Sequence, residues 1–218
     1  MRKRYLPLLL TLFFVLSIIS SVLASAPASF VPAETAEKML ADGNTRFLSE
    51  KYADRKIGKN ERSELSKGQH PFAVIVTCSD SRVAPELLFD QGLGDLFVVR
   101  VAGNVLDAIE LGSVEYAVEH LGAKLVVVLG HEKCGAVKAA LDGGDLPPNI
   151  KAIADKIQPA VAVAKEQKAA NLYEAAADAN VINMIASLRS DPVIAHLEGV
   201  QLVGAKYHLE SGQVTFFK

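Results

Sequence analysis

A chain of 218 residues, half of them hydrophobic, can bury one sizeable core but is short for two full domains. Its 23 Lys and Arg against 25 Asp and Glu give a net charge of −2, with no basic stripe and no interleaving of aromatic and basic residues. That pattern excludes an electrostatic nucleic-acid binder, and no nucleic-acid partner is expected.

The first 26 residues, MRKRYLPLLLTLFFVLSIISSVLASA, join Arg2, Lys3 and Arg4 to an apolar run from Leu6 to about Ile19, followed by small residues. This is the pattern of a secretory signal peptide, with cleavage expected after Ala24. An uncleaved N-terminal anchor is the alternative, because the run approaches the lower limit of a membrane span. Residues 27–218 then form a single domain, periplasmic or secreted. Without residues 1–26, which hold three basic residues and no acidic one, 20 Lys and Arg face 25 Asp and Glu, a net charge of −5. Nothing after residue 26 is long and apolar enough to span a bilayer, so no membrane association is expected after cleavage. Cys78 and Cys134 are the two cysteines, and in an exported protein the simplest reading of such a pair is a disulfide.

Along the mature chain, AETAEKMLADGNTRFLSEKY places Ala36, Met39, Leu40, Phe47 and Leu48 on a helical period that Gly43 and Asn44 interrupt, which predicts a helix or helix pair. Residues 54–70 are polar and charged, a solvated loop with a short helix. Three apolar runs of strand length follow, at 72–78, 95–103 and 123–131. Runs of Val, Ile and Leu without alternation indicate strands buried on both faces, as in a parallel sheet. The helical segment 107–122 separates the second and third runs and gives a β-α-β rhythm. Two long helical stretches come next, starting near Pro147 and Tyr173, with Pro159 and Pro192 as punctuation. The tail VQLVGAKYHLESGQVTFF alternates on either side of ESGQ, the sign of a hairpin added antiparallel at a sheet edge. The class is α/β: a mostly parallel central sheet flanked by helices, with an N-terminal helical arm and a C-terminal antiparallel edge hairpin.

Cys78 ends the first apolar run; His131 ends the third and begins H-x-x-C with Cys134. Parallel strands end on the same edge, so if these two lie close in the sheet, all three side chains meet in one crevice at the carboxyl ends. Two thiolates and an imidazole form a zinc ligand set, and three protein ligands leave a fourth position open, as catalytic zinc sites do. A disulfide accounts neither for His131 at this spacing nor for Asp80 and Arg82 beside Cys78. Ser79 and Ser81 lack a recognisable His-acid partner, and capping the turn after the strand is their expected role. His70, His120, His196 and His208 stand singly and read as ordinary surface or boundary residues. Gly103 and Gly135 read as residues of tight turns.

CSDSR at 78–82, followed by GHEKCG at 130–135, resembles the β-class carbonic anhydrases, and specifically an exported bacterial type. The resemblance extends through GNTRF at 43–47, GQHPFAVIVTCSDSRV at 68–83, DLFVVRVAGN at 95–104, GSVEYAVEHLG at 112–122, NVINMIASLRSDPVIAHL at 180–197 and GAKYHLESGQV at 204–214, essentially the whole chain after the signal peptide. It implies zinc-dependent reversible hydration of CO2 to bicarbonate and a proton, through attack of a zinc-activated hydroxide. It also implies one Zn2+ per chain on Cys78, His131 and Cys134. Asp80 and Arg82 become a catalytic dyad, with Asp80 a conditional fourth ligand in a closed state. Gln69 would hydrogen-bond substrate, Phe97 and Tyr116 would line the CO2 pocket, and the backbone N–H of Gly135 would face the reacting ligand. That pocket is built at a dimer interface in the family, which implies a homodimer or higher homo-oligomer with the N-terminal helix as the exchanged arm.

Two departures stand out. RVAGN replaces the RNVAN of some members, with Val101, Ala102 and Gly103 on the pocket wall. Ile75 stands where members with an inhibitory second bicarbonate site carry Trp, so that regulation is not expected, although Arg100 matches another residue of that site. Rival functions are hydrolysis of carbon disulfide or carbonyl sulfide on the same ligands, a non-catalytic zinc-stabilised binding protein, and an exported thiol redox protein. The absence of C-x-x-C disfavours the last.

Overall fold

Every residue of β1 (Ala73–Thr77) and of β3 (Leu125–His131) is buried, which is why both read as unbroken apolar runs. A computed structural model describes residues 31–217; the expected signal peptide lies outside these residues. Together with β2 (Leu96–Arg100), β4 (Gln201–Tyr207) and β5 (Val214–Phe217), these strands form one sheet in the order β2-β1-β3-β4-β5. The first four are mutually parallel, and β5 alone runs antiparallel, beside β4. The tail is thus a hairpin-like pair whose first strand extends the parallel sheet.

Alternation along the strands divides the core in two. Ala73 and Ile75 of β1 and Leu125, Val127 and Leu129 of β3 pack with helix α1 (Ala33–Leu48) and the single turn α3 (Pro85–Leu88). Val74, Val76, Val126 and Val128 point to the other face, covered by α4 (Ala108–Glu115), α5 (Gly135–Asp142), α6 (Pro148–Glu166) and α7 (Leu172–Ser190). The short α2 (Lys59–Leu65) buries no residue. Among the described residues no helix is long and apolar enough to cross a membrane.

Some expected boundaries move. Gly43 and Asn44 do not interrupt α1. A Cβ at Gly43 would lie 1.8 Å from the Phe89 carbonyl oxygen, so glycine lets the helix touch the backbone after α3. Asn44, 4% exposed, donates to the Leu88 and Gly212 carbonyls and accepts from the Val214 N–H, tying α1 to the end of α3 and to the C-terminal edge pair. The N-terminal helix therefore lies against its own sheet. Pro159 does not break α6: it sits on the exposed side with Asp155, whose carbonyl water can reach, while Ile157, Ala160, Val161 and Ala164 bury the other side. The expected 107–122 helix is α4, opened by a capping box of Asp107 and Glu110, and it passes into a π-turn at Tyr116–His120. Helix α5 was not among the expected elements.

The chain leaves β1 for β2 on one side and then crosses back over to β3 on the other. A sheet of this kind opens a crevice at the carboxyl ends of the two strands where the winding reverses. Here those strands are β1 and β3, and the residues leaving them are Cys78 and His131.

Candidate metal centre

The β1–β3 register pairs Thr77 with Leu129, and the Thr77 hydroxyl donates to the Leu129 carbonyl at 2.9 Å. This brings the two strand ends level. Cys78, His131 and Cys134 are respectively 5%, 1% and 1% exposed, and their ligand atoms lie within 4.8 Å of one another. Both cysteines are free thiols, as the metal-ligand reading requires and the disulfide alternative does not.

His131 Nδ1 lies 2.8 Å from the Glu132 carbonyl, a contact that makes Nδ1 the protonated nitrogen and turns the lone pair of Nε2 toward the thiols. Nε2 is buried and has no hydrogen-bond partner. A buried imidazole nitrogen left without a partner is costly unless something binds it. Two sulfurs and a nitrogen at this spacing suit a tetrahedral zinc, whose ligand atoms stand about 3.5–3.8 Å apart at ordinary bond lengths. The donor set therefore fits a metal ion.

The thiols share their protons unequally. The hydrogen bond from Cys134, aided by the backbone N–H groups of Gly103 and Asp80, pulls Cys78 down to about 4 against the cost of burial. The same contact, with burial, pushes Cys134 up. The Gly103 N–H reaches Cys78 Sγ at 3.2 Å, from a turn in which Gly103 takes φ +73°, so its reading as a turn residue holds. A metal entering the site displaces the remaining thiol proton.

Beside the ligands, Arg82 grips Asp80 with both arms: Nε donates to Oδ1 at 2.9 Å and Nη2 to Oδ2 at 2.7 Å. The Arg82 hydrogen bonds hold the Asp80 carboxyl far below the usual carboxylate range. Asp80 Oδ2 stands 3.9 Å from His131 Nε2, at the margin of the ligand set. Asp80, not the serines, closes the turn after β1, because Oδ1 also accepts the Arg82 backbone N–H. Arg100 donates to the carbonyls of Cys78 and Asp80, at 3.3 and 2.9 Å, which fastens this loop to the end of β2.

Gly135 is the first residue of α5 and exposed, and a Cβ there would meet nothing within 4 Å. It takes an ordinary helical position instead of a tight turn and opens on the space beside Cys134. The remaining expected residues are not gathered within one chain. Phe97 pairs with Val74 in the sheet, four residues or roughly 13 Å along the strand from Cys78. Its ring lies 6.3 Å from that of Tyr116, which is 46% exposed. Gln69 is exposed on the segment leading into β1, before the strand begins.

Sequence reasoning missed two groups behind the ligands. Tyr173 of α7 donates to the Cys134 carbonyl, and the ordinary-looking His208 meets the Glu132 carboxylate at 2.8 Å. Neither contact has a local signal: each partner is 39 or more residues away.

A family model described as carbonic anhydrase matches residues 73–214, from the first residue of β1 to the first of β5. The chain belongs to the β-carbonic anhydrase family. A carbonic anhydrase of Mycolicibacterium smegmatis is 44% identical over 185 residues, covering 81% of this chain and 89% of the relative. Carbonic anhydrase 2 of Mycobacterium tuberculosis is 40% identical, with 81% and 88% covered. The solved β-carbonic anhydrase CcaA superposes with a TM-score of 0.68 at 28% identity, over 84% of this chain and 95% of that one. One of two β-carbonic anhydrases of Sordaria macrospora, described as tetrameric, gives 0.68 at 25% identity over 72% and 85%. This β-carbonic anhydrase thus carries the fold and the metal-binding residue cluster in one piece.

Proposed function

We propose that this carbonic anhydrase is a zinc enzyme for the reversible hydration of CO2 to bicarbonate and a proton, with Cys78, His131 and Cys134 holding one Zn2+ per chain. The observation that carries the reading is the buried, partnerless Nε2 of His131 beside two buried thiols. Bound there, zinc would supply the Lewis acidity that makes a water nucleophilic toward CO2.

The chain's own groups do the rest. As thiolates, Cys78 and Cys134 cancel the formal charge of a divalent ion, so the polarity of the open position falls to its neighbours. Asp80, kept ionised by Arg82, is an acceptor that orients a water molecule at that position. Released from Arg82, the same carboxylate is a ligand that closes it. The N–H of Gly135, at the exposed start of α5, faces the same space and suits an oxygen carrying developing negative charge.

Gln69, Phe97 and Tyr116 complete the CO2 pocket through a second copy of the chain. Support comes from the pair of half-buried Phe97 and exposed Tyr116, which lies away from its own ligands, and from the tetrameric state described for the Sordaria macrospora relatives. Export rests on residues 1–26 and is checked by N-terminal sequencing of the protein recovered outside the cytoplasm. The functional test is stopped-flow CO2 hydration alongside metal analysis, with carbon disulfide and carbonyl sulfide as competing substrates. One zinc per chain with hydration of CO2 is expected; a metal-free, inactive protein overturns the reading.

A further inference from the structure

Behind the metal centre runs a chain of polar contacts that CO2 hydration does not itself require. His131 is oriented by a hydrogen bond from Nδ1 to the carbonyl of the next residue, Glu132. Where that carbonyl points depends on how the 132–133 peptide is held. Lys133 takes φ +53°, a left-handed conformation that non-glycine residues seldom adopt and that surrounding contacts must maintain.

Glu132 is held at both ends. Its backbone N–H donates to the Tyr207 carbonyl at 3.2 Å, continuing the β3–β4 ladder by one rung. Its carboxylate turns to the same neighbouring segment: Oε1 meets His208 Nδ1 at 2.8 Å, and Oε2 accepts the Leu209 N–H at 3.1 Å. His208 is held in turn across the edge hairpin, its Nε2 lying 3.1 Å from the Thr215 hydroxyl of β5. With the backbone and the carboxylate both fixed, the Glu132 carbonyl has little freedom to swing away from His131.

We infer that the Glu132 carboxylate and His208 are positioning residues for the metal centre: they clamp the Glu132 peptide and so hold His131 in the orientation that ligates. Groups that orient a ligating histidine from behind typically change metal affinity 10–100-fold when removed. The clamp also links the last strand of the sheet to the metal through Thr215, His208, Glu132 and His131.

The inference rests on the zinc reading, and its test separates the two. Zinc release to a chromogenic chelator would be timed for wild type, Glu132→Ala, Glu132→Gln, His208→Ala and Thr215→Val, with melting curves of each metal-free protein. Glu132→Ala and His208→Ala should release zinc about tenfold faster or more, with metal-free melting temperatures close to wild type. Glu132→Gln keeps a carbonyl acceptor and should fall between, and Thr215→Val should show a smaller effect of the same sign. If Glu132→Ala fails to fold, His208→Ala carries the test, since it leaves the ligand loop's sequence intact. The cobalt-substituted protein gives a second readout, because a reoriented imidazole shifts its visible bands. Wild-type release rates and bands in both alanine variants overturn the inference while leaving the zinc reading standing. Equal destabilisation of metal-free and metal-loaded protein also overturns it, by making the bridge a folding contact alone. A wild type that takes up no zinc removes the zinc reading and this inference together.

Discussion

Arg82 occupies both carboxylate oxygens of Asp80, at 2.9 and 2.7 Å, while Asp80 Oδ2 stands only 3.9 Å from Nε2 of His131. The acid nearest the metal site is therefore committed to a guanidinium. Removing that partner leaves a carboxylate beside a cation-binding site, where coordination is its best alternative. Arg82→Ala should lower CO2 hydration by roughly 10²-fold or more, the range expected when a positioned acid-base group is lost. Zinc content should stay near one per chain. Activity in wild type should rise toward alkaline pH, where hydroxide competes better for the open position. Cobalt spectra of Arg82→Ala and of the Asp80→Ala, Arg82→Ala double variant decide the matter: a wild-type spectrum in the single variant would refute the gatekeeping role of Arg82.

Cys134→Ala should lose metal and activity together, because the remaining pair, Cys78 and His131, gives a divalent ion only two ligands and one thiolate. In wild type, both thiols are 5% exposed or less and should react with a thiol reagent only after chelation or unfolding. The measurements are zinc analysis and thiol titration with and without chelator. Full zinc occupancy in Cys134→Ala would remove this residue from the ligand set.

Asp90 is the buried ionic anchor on the other face of the sheet. Its side chain has no exposure and accepts from Arg46 Nε at 2.7 Å, Arg55 Nε at 2.8 Å and the Ala53 N–H at 2.8 Å. Burial alone would raise its pKa, but the Ala53 N–H and the two guanidinium groups outweigh burial and lower it. A carboxyl held below its unfolded value, near 3.9, contributes stability that is fully present above that pH and is lost as pH falls through the folded value. Asp90→Ala should cost roughly 2 kcal/mol at neutral pH, by leaving the Ala53 N–H and two partly exposed arginines without their acceptor, and should flatten the acid limb of the stability curve. Urea unfolding at neutral pH and through the range below about pH 4 measures both effects; an unchanged acid limb would mean other groups set it.

Gly43→Ala should be among the most disruptive changes in α1, although alanine is the better helix former. The added methyl would stand 1.8 Å from a backbone oxygen that cannot rotate away, and α1 would have to move off the sheet. A loss of about 2 kcal/mol or more is expected, read as a lower melting temperature. A stabilised variant would show that α1 is free to shift.

The Cys78, His131 and Cys134 cluster is legible because each residue stands where a local pattern changes: Cys78 and His131 end apolar runs, and Cys134 follows three residues after His131. Parallel strands end on one edge, so chain order alone predicts that these residues share it. What linear order cannot supply is which strands are neighbours, and only the fold places β1 beside β3 and makes the edge a site. Gly43 and Asn44 look like helix breakers because propensity is a property of the isolated helix, whereas their roles are set by Phe89, Gly212 and Val214. His208 looked ordinary for the same reason, since its partner Glu132 is 76 residues earlier and meets it only once β4 has paired with β3. Residue types and strand ends lie in the sequence because they follow local hydrophobic pattern. The clamp behind His131 and the seat of α1 belong to the tertiary structure alone, because they depend on contacts between segments far apart in the chain.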